Sequence, residues 1–335
     1  MLSVRALILA PFSEHSLDRL RRSIGVVYES WLDTNRLQDP DELGARLAAE
    51  EMDVLIVEAD FVFGEVFDAA PGLRLVGVCR NALNQVDVDS ATEHGVAVVH
   101  APGRNTNAVA EMTLGLMLAL ARRIPQASTL VLGAGWRDPA LGYRRFRGRE
   151  IAGSTVGVVG FGRIGREVAR KCIVLGARVL VHDPFVPERQ VSALGAEPVS
   201  LNRLAARSDF VTLHVPEGEA THHLAGRDFL ARMRPHAYLI NTGAGASVDP
   251  EALAEALGAR RIAGAALDVY EGHPLPASSP LCSAPNVILT PHIGGATAET
   301  VERHSRMMTA EIERLLAGKP LRHVVNPGYR LARAR

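Results

Sequence analysis

Cysteine is scarce. Cys79, Cys172 and Cys282 are the only three, scattered and odd in number. This excludes a disulfide framework, and their spacing suits no metal, so a reducing cytoplasm and no metal are expected. An excess of one charge is also missing. The 37 basic and 37 acidic residues cancel, so no global field draws the chain to nucleic acid or to a membrane surface. The longest apolar run, Met112 to Ala121, is too short to span a bilayer and is bounded by Glu111 and Arg122. The apolar opening, Met1 to Phe12, lacks a basic start and a small-residue cleavage site, and reads as a first strand. Internal repeats and low-complexity tracts are absent. What is present is apolar residue at 47%, enough for sizeable cores, over 335 residues, a length that suggests two domains.

The organising stretch is Thr155 to Arg170, TVGVVGFGRIGREVAR. A short apolar strand runs into G-x-G-x-x-G at Gly160, Gly162 and Gly165, and helical spacing resumes through Val168 and Ala169. In a dinucleotide site the first glycine makes the tight turn and the second lets a pyrophosphate approach the backbone. The third lets the helix pack close, with its N-terminal amides facing the phosphates. Eighteen residues after Gly165 the next apolar run ends at His182-Asp183. A carboxylate there accepts both ribose hydroxyls of NAD and repels the 2′-phosphate of NADP. An ordinary α/β turn with a surface Asp is the plainer alternative.

Residues 1–100 alternate strands and helices without a glycine fingerprint. Strands are expected at Val4–Leu9, Val54–Val57, Leu73–Val76 and Val96–Val99, with Leu17, Leu20 and Ile24 at helical spacing after the first. Asn107 to Arg123 is apolar nearly all round and reads as a buried helix, in a core or at a subunit contact. Gly133 to Glu150 is rich in glycine and arginine, with Trp136, Tyr143 and Phe146 interleaved; it is an anion-binding or partner arm, or a surface crossing. Further strands are expected at 156–159, 178–181, 210–214, 237–240, 263–267 and 287–289. Thr297 to Leu316 is an amphipathic helix with Val301, Met308, Ile312, Leu315 and Leu316 on one stripe, stopped by Gly318 and Pro320. The fold class is therefore α/β, with doubly wound parallel sheets and ligands at the strands' carboxyl ends.

The ordered stretches 91–123, 155–171, 208–216, 233–242, 262–271 and 286–297 resemble the D-isomer-specific 2-hydroxyacid dehydrogenases, the phosphoglycerate dehydrogenase-like family, over essentially the whole chain. The resemblance implies two Rossmann-like domains. A discontinuous substrate domain, 1–102 plus 297–335, would carry an inserted NAD domain, 103–296, with the active site in the cleft between them and a homodimer built on the NAD domain. For NAD it implies Gly160, Gly162, Arg163, Ile164 and Gly165 at the phosphate turn, Asp183 on the ribose, Val215 along the cofactor, backbone of Thr242 and Gly243, and Asp268 on the carboxamide. His292 and Gly294 in Thr290-Pro291-His292-Ile293-Gly294-Gly295 complete the set, with His292 the proton-transfer residue.

Three positions depart from the family. Its catalytic arginine falls at Ala244 in Asn241-Thr242-Gly243-Ala244-Gly245-Ala246-Ser247-Val248-Asp249. Its glutamate falls at His273 in Asp268-Val269-Tyr270-Glu271-Gly272-His273-Pro274. Its glycine-rich carboxylate turn reads Arg80-Asn81-Ala82-Leu83-Asn84-Gln85. A lost guanidinium removes a bidentate clamp on a carboxylate, and a histidine for the glutamate removes the partner that favours imidazolium. Arg80 is a candidate replacement cation, with Arg104 a weaker one. His273 and His292 are candidates to pass a proton, and two ligands without a third argue against metal. Three functions stay open. One is an NAD-dependent oxidoreductase acting on a 2-hydroxy acid or related small acid. Another is an enzyme using NAD without net redox, in elimination or isomerisation. The last is an NAD-binding protein without catalysis.

Overall fold

The computed structural model describes residues 4–333. The chain forms two compact units, residues 1–104 with 297–335 and residues 105–296. Each is built on one parallel sheet with helices on both faces, the expected doubly wound α/β architecture. Among the described residues no helix is long and apolar enough to cross a membrane.

The first unit holds five strands: β1 (Arg5–Ile8), β2 (Gly25–Tyr28), β3 (Val54–Val57), β4 (Leu75–Val78) and β5 (Ala97–His100). Their spatial order is β2-β1-β3-β4-β5, with Ala6 opposite Val54 and Leu55 opposite Val76. Successive side chains alternate between faces, so each strand feeds two cores. Ala6 and Ile8 join Leu17, Leu20, Met308 and Ile312 on one face; Leu7 and Leu9 join Leu43, Leu47 and Phe67 on the other. That two-sided burial is why the strands read as apolar runs.

The helix Ala298–Leu316 closes the first face, capped by Thr297, whose hydroxyl accepts from the Thr300 amide at 3.1 Å. Asn326 then ties the tail to the sheet edge. Its Oδ1 accepts from the Val98 amide at 2.8 Å and its Nδ2 donates to the Val96 carbonyl at 2.9 Å.

The second unit holds β6 (Thr155–Val159), β7 (Arg178–His182), β8 (Glu197–Pro198), β9 (Phe210–Leu213), β10 (Tyr238–Asn241), β11 (Gly264–Leu267) and β12 (Val287–Leu289), in the order β12-β11-β10-β9-β6-β7-β8. The winding reverses between β6 and β9, so the carboxyl ends of these two strands frame the crevice where such sheets take ligands.

Several elements differ from the sequence reading. β2 was not expected, because it is an edge strand whose residues are all half-buried and carry no full apolar run. β4 lies two residues beyond the expected Leu73–Val76; Arg74 only leads in, its amide donating to the Asp53 carbonyl at 2.7 Å. The helix expected from Asn107 is Thr106–Ala121, and Leu118 on it is exposed, so it is not apolar-packed all round. Gly133 to Glu150 contains one short helix, Leu141–Arg145, with no buried residue. On Ala298–Leu316 the expected stripe is only partly the buried one: Met308 and Ile312 are buried, Leu316 is exposed, and the polar His304, Ser305, Thr309 and Glu311 are buried beside them.

Candidate functional site

The glycine turn after β6 is pinned from both sides. The Gly160 amide donates to the His182 carbonyl at the end of β7, at 2.8 Å. Gly160 has φ 90°, and a Cβ there would lie 2.5 Å from the His214 carbonyl oxygen just past β9. A Cβ on Gly165 would lie 2.0 Å from the Gly160 oxygen, so the helix Arg163–Val174 sits directly on the turn. Gly162 is different. It is the N-cap of that helix, and a Cβ there would meet nothing within 4 Å. The fold does not require glycine at this position, whereas a phosphate-bearing ligand approaching the free amides does.

Asp183 stands at the exit of β7. Its Oδ2 accepts from the Phe161 amide at 2.7 Å and its Oδ1 from the Phe185 amide at 2.9 Å. The carboxylate thus braces the glycine turn and keeps lone pairs for two further donors. Arg163 is exposed at the first helical turn, and Ile164 and Val215 are half-buried, packed against the two cores of this unit. These residues fit a dinucleotide: an open cradle at a helix N-terminus, with an acidic group at the end of the neighbouring strand.

The second cluster forms past β11 and β12. Asp268 is buried. Its Oδ1 accepts from the Thr290 hydroxyl at 2.6 Å and the Ile293 amide at 2.9 Å, and its Oδ2 accepts from the Gly294 amide at 2.7 Å. The loop carrying His292 is therefore clamped on both sides of that residue. His292 itself adopts φ 56°, a left-handed conformation uncommon outside glycine, and such strain persists where surrounding bonds impose it. Its ring is exposed and lies 5.0 Å from that of His273, centroid to centroid, at 44°. His273 in turn lies 5.8 Å from the Tyr270 ring. The Tyr270 hydroxyl donates to the Thr290 carbonyl at 2.9 Å. Burial holds this phenol above its ordinary range, so it stays a donor.

The third loop follows β10. Asn241 Nδ2 and Ser247 Oγ both donate to the Ala244 carbonyl, at 2.9 and 2.7 Å, and the Gly243 amide donates to Asn241 Oδ1 at 3.1 Å. The Thr242 hydroxyl pairs with that of Thr113 at 2.8 Å. A Cβ on Gly245 would lie 1.8 Å from the Tyr270 carbonyl oxygen, so this loop runs against the segment leading to His273. Ala244, half-buried, presents a methyl group where the family pattern has a guanidinium. Asn241 and Ser247 shape the loop and were not singled out from sequence; their polar side chains beside glycine were the available signal.

In the other unit, Arg80 is exposed on the loop after β4, with its carbonyl accepting from the Ala101 amide at 2.9 Å. Arg104 is committed elsewhere. It forms an ion pair with Glu58 at 2.6 Å and donates to His304 Nδ1 at 2.7 Å.

Residues 114–294 match the family model described as the D-isomer specific 2-hydroxyacid dehydrogenase NAD binding domain. A D-3-phosphoglycerate dehydrogenase of Methanocaldococcus jannaschii is 38% identical over 279 residues, 83% of this chain and 52% of that protein. A second, of Archaeoglobus fulgidus, is 35% identical over 96% of this chain and 59% of its own length. The chain thus spans between half and two-thirds of the length of these curated relatives. A putative 2-hydroxyacid dehydrogenase of Bacillus subtilis, YoaD, matches nearly end to end: 34% identity over 95% of this chain and 93% of the relative. Among solved structures, the TT0316 protein of Thermus thermophilus superposes with a TM-score of 0.84 at 35% identity, over 96% of this chain and 100% of that one.

Proposed function

The chain belongs to the D-isomer-specific 2-hydroxyacid dehydrogenase family, and on that premise we propose that it is an NAD-dependent oxidoreductase acting on the CH–OH group of a 2-hydroxy acid or a related small acid. Residues 1–104 with 297–335 are the substrate domain and 105–296 the NAD domain. The observation that carries the reading is the His292–His273 pair, held by Asp268 and Tyr270 at the carboxyl edge of the sheet that also carries the open glycine cradle.

When bound, NAD supplies the hydride acceptor or donor. In the reducing direction, C2 of a 2-keto acid gains the hydride and His292 delivers a proton to the carbonyl oxygen, giving the 2-hydroxy acid. In reverse, His292 takes the hydroxyl proton as the hydride leaves. The Asp268 clamp fixes where the imidazole stands, which is the positioning part of catalysis. Asp183 favours NAD over NADP, because a 2′-phosphate would face a carboxylate. Ala244 offers the substrate carboxylate no charge.

Two further readings concern the molecule as a whole. Ile124, Val131, Leu132, Trp136 and Tyr143 are exposed, Leu132 by 85%, on and after the helix Ile124–Leu132. A second copy of the chain covers this apolar face in a homodimer. Cys79 and Cys172 are buried thiols and Cys282 is exposed and free, which suits a reducing cytoplasm.

The test is a paired one on purified protein. NADH binding is followed by fluorescence and NADH oxidation by absorbance, with glyoxylate, hydroxypyruvate and bulkier 2-keto acids. The expected result is oxidation that His292→Ala removes while NADH still binds. Tight binding with no oxidation of any acid overturns the reading and favours NAD use without net redox, or binding alone.

A further inference from the structure

A second cluster of ligating side chains in the NAD domain stands apart from the proton-transfer pair. The chain leaves β9 and makes a short turn at Glu219–Thr221 before reaching His222 and His223. Neighbouring side chains in an extended segment point to opposite sides, but here they do not. His223 takes φ 47°, with its amide donating to the Ala246 carbonyl at 2.8 Å, and the two rings stack at 4.0 Å, inclined by 21°. Both turn Nε2 toward one carboxylate. His222 Nε2 lies 3.3 Å from Glu271 Oε1, and His223 Nε2 lies 3.4 Å from Glu271 Oε2.

These separations are long for charge-assisted hydrogen bonds, which run at about 2.7–2.9 Å. Each is close to the ligand-to-ligand spacing around a tetrahedral ion with bonds of about 2.0–2.1 Å, roughly 3.3–3.4 Å, and the two run to different oxygens of the one carboxylate. One ligand atom from each of the three residues lies within 4.8 Å of the others. Asp249 Oδ2 lies 4.0 Å from His223 Nδ1, on the far side of the ring from Glu271. At 4.0 Å this is an ion-pair distance and not a hydrogen bond, on the side of the ring where a ligating imidazole takes its outer carboxylate. Asp249 is itself fixed, because its Oδ1 caps the helix Pro250–Gly258. A cavity of about 430 Å³, lined by Glu217, Thr221, His222 and Ser247, opens beside the cluster and leaves room for water on the ion.

We propose that His222, His223 and Glu271 form a site for a divalent transition-metal ion of the Zn²⁺ class, with three protein ligands and water completing the shell. Two imidazoles and one carboxylate suit Zn²⁺, Ni²⁺ or Cu²⁺ and not Mg²⁺ or Ca²⁺, which prefer all-oxygen sites. None of the three ligands is a member of the His273–His292 pair, and Glu271 lies two residues before His273.

The test uses the full chain with any affinity tag removed. Equilibrium dialysis against Zn²⁺, with metal counted by mass spectrometry, is expected to give one ion per chain. Co²⁺ as a spectroscopic probe is expected to show the intense visible bands of a four- or five-coordinate site. His222→Ala and Glu271→Gln should each weaken Zn²⁺ binding by about 10²-fold, and Asp249→Asn by about tenfold. His223→Gly removes a ligand while suiting the left-handed backbone, so loss of binding there cannot be laid to misfolding. Thermal unfolding gives a second reading, with Zn²⁺ raising Tm of the parent protein and not of His223→Gly. No bound ion in the parent, or Zn²⁺ binding unchanged in His223→Gly, overturns the proposal. Neither readout depends on NADH or on turnover.

Discussion

The imidazole of His273 faces that of His292 at 5.0 Å, in the position where the family pattern places a glutamate beside its catalytic histidine. The nearest aromatic neighbour on the other side is Tyr270, at 5.8 Å. His273 thus meets His292 ring to ring, while Asp268 clamps the loop that carries His292. Two substitutions follow from this arrangement. His292→Ala should cut kcat/KM for the best 2-keto acid by about 10²- to 10⁴-fold, the ordinary contribution of a general acid. His273→Glu restores the family's pairing and should raise kcat by about tenfold on the same scale. Steady-state kinetics decide both. A fall in kcat for His273→Glu would mean that the second imidazole is itself needed.

Ala244 leaves the loop after β10 without its guanidinium, while Asn241 and Ser247 hold the backbone in place at 2.9 and 2.7 Å. Ala244→Arg should therefore add a charged clamp to a loop that is already shaped. Charge-assisted hydrogen bonds contribute about 1.5–3 kcal/mol, so KM for a 2-keto acid should fall by roughly 10- to 100-fold. An unchanged KM would show that Arg80 or another group already holds the carboxylate. Arg80→Ala in the same background then reads out which.

Two of the three glycines of the turn should behave differently when substituted. Gly165→Ala forces a Cβ to within 2.0 Å of the Gly160 oxygen and should destabilise the protein by about 1–3 kcal/mol, visible as a lower Tm. The Cβ of Gly162→Ala meets no atom within 4 Å, so this substitution should leave Tm near its original value while weakening NADH binding. Calorimetry and fluorescence titration of the pair separate structural need from ligand need.

Acid should loosen the first unit through His304. This ring is fully buried, and burial disfavours its charged form. Arg104 donates to Nδ1 at 2.7 Å, and Nε2–H donates to the Pro11 carbonyl at 2.7 Å. Burial, with Arg104 adding to it, pushes the pKa down from 6.5 to about 4. Between those values the unfolded chain binds a proton that the folded one refuses, so stability rises with pH across the window. It should be complete above about pH 6.5 and fall as pH drops toward 4, by up to roughly 3 kcal/mol at about 1.4 kcal/mol per pH unit. His214 in the NAD domain, pushed by burial to about 3, acts in the same direction. Urea unfolding from pH 7.5 to 4.5 should show this slope, and His304→Gln should flatten it without removing the His214 share.

Much of this was legible in the sequence because parallel strands covered on both faces write themselves as apolar runs. β3, β6 and β12 lie where Val54–Val57, Val156–Val159 and Val287–Leu289 put them, to within a residue. β2 escaped notice because an edge strand with half-buried side chains needs no such run. The glycine turn was legible because each glycine answers a separate local demand. The clamp on His292 was not, since Asp268 reaches it across 25 residues of chain. Nor was the buried polar set on Ala298–Leu316. His304 is buried because partners about 200 and 293 residues away satisfy its nitrogens, and Glu311 is buried because it accepts the amides of Arg322 and His323. Hydrophobic periodicity carries no trace of partners so distant.

Hydride transfer to a 2-carbon leaves a label that deuterium makes visible. NADH labelled at the nicotinamide C4 with deuterium on both faces is mixed with the protein and a 2-keto acid, and the product is weighed by mass spectrometry. The account predicts a 2-hydroxy acid one mass unit heavier, with the label on C2 and none formed by His292→Ala. Bound, unconsumed NADH and no labelled acid from any member of the 2-keto acid panel would contradict it.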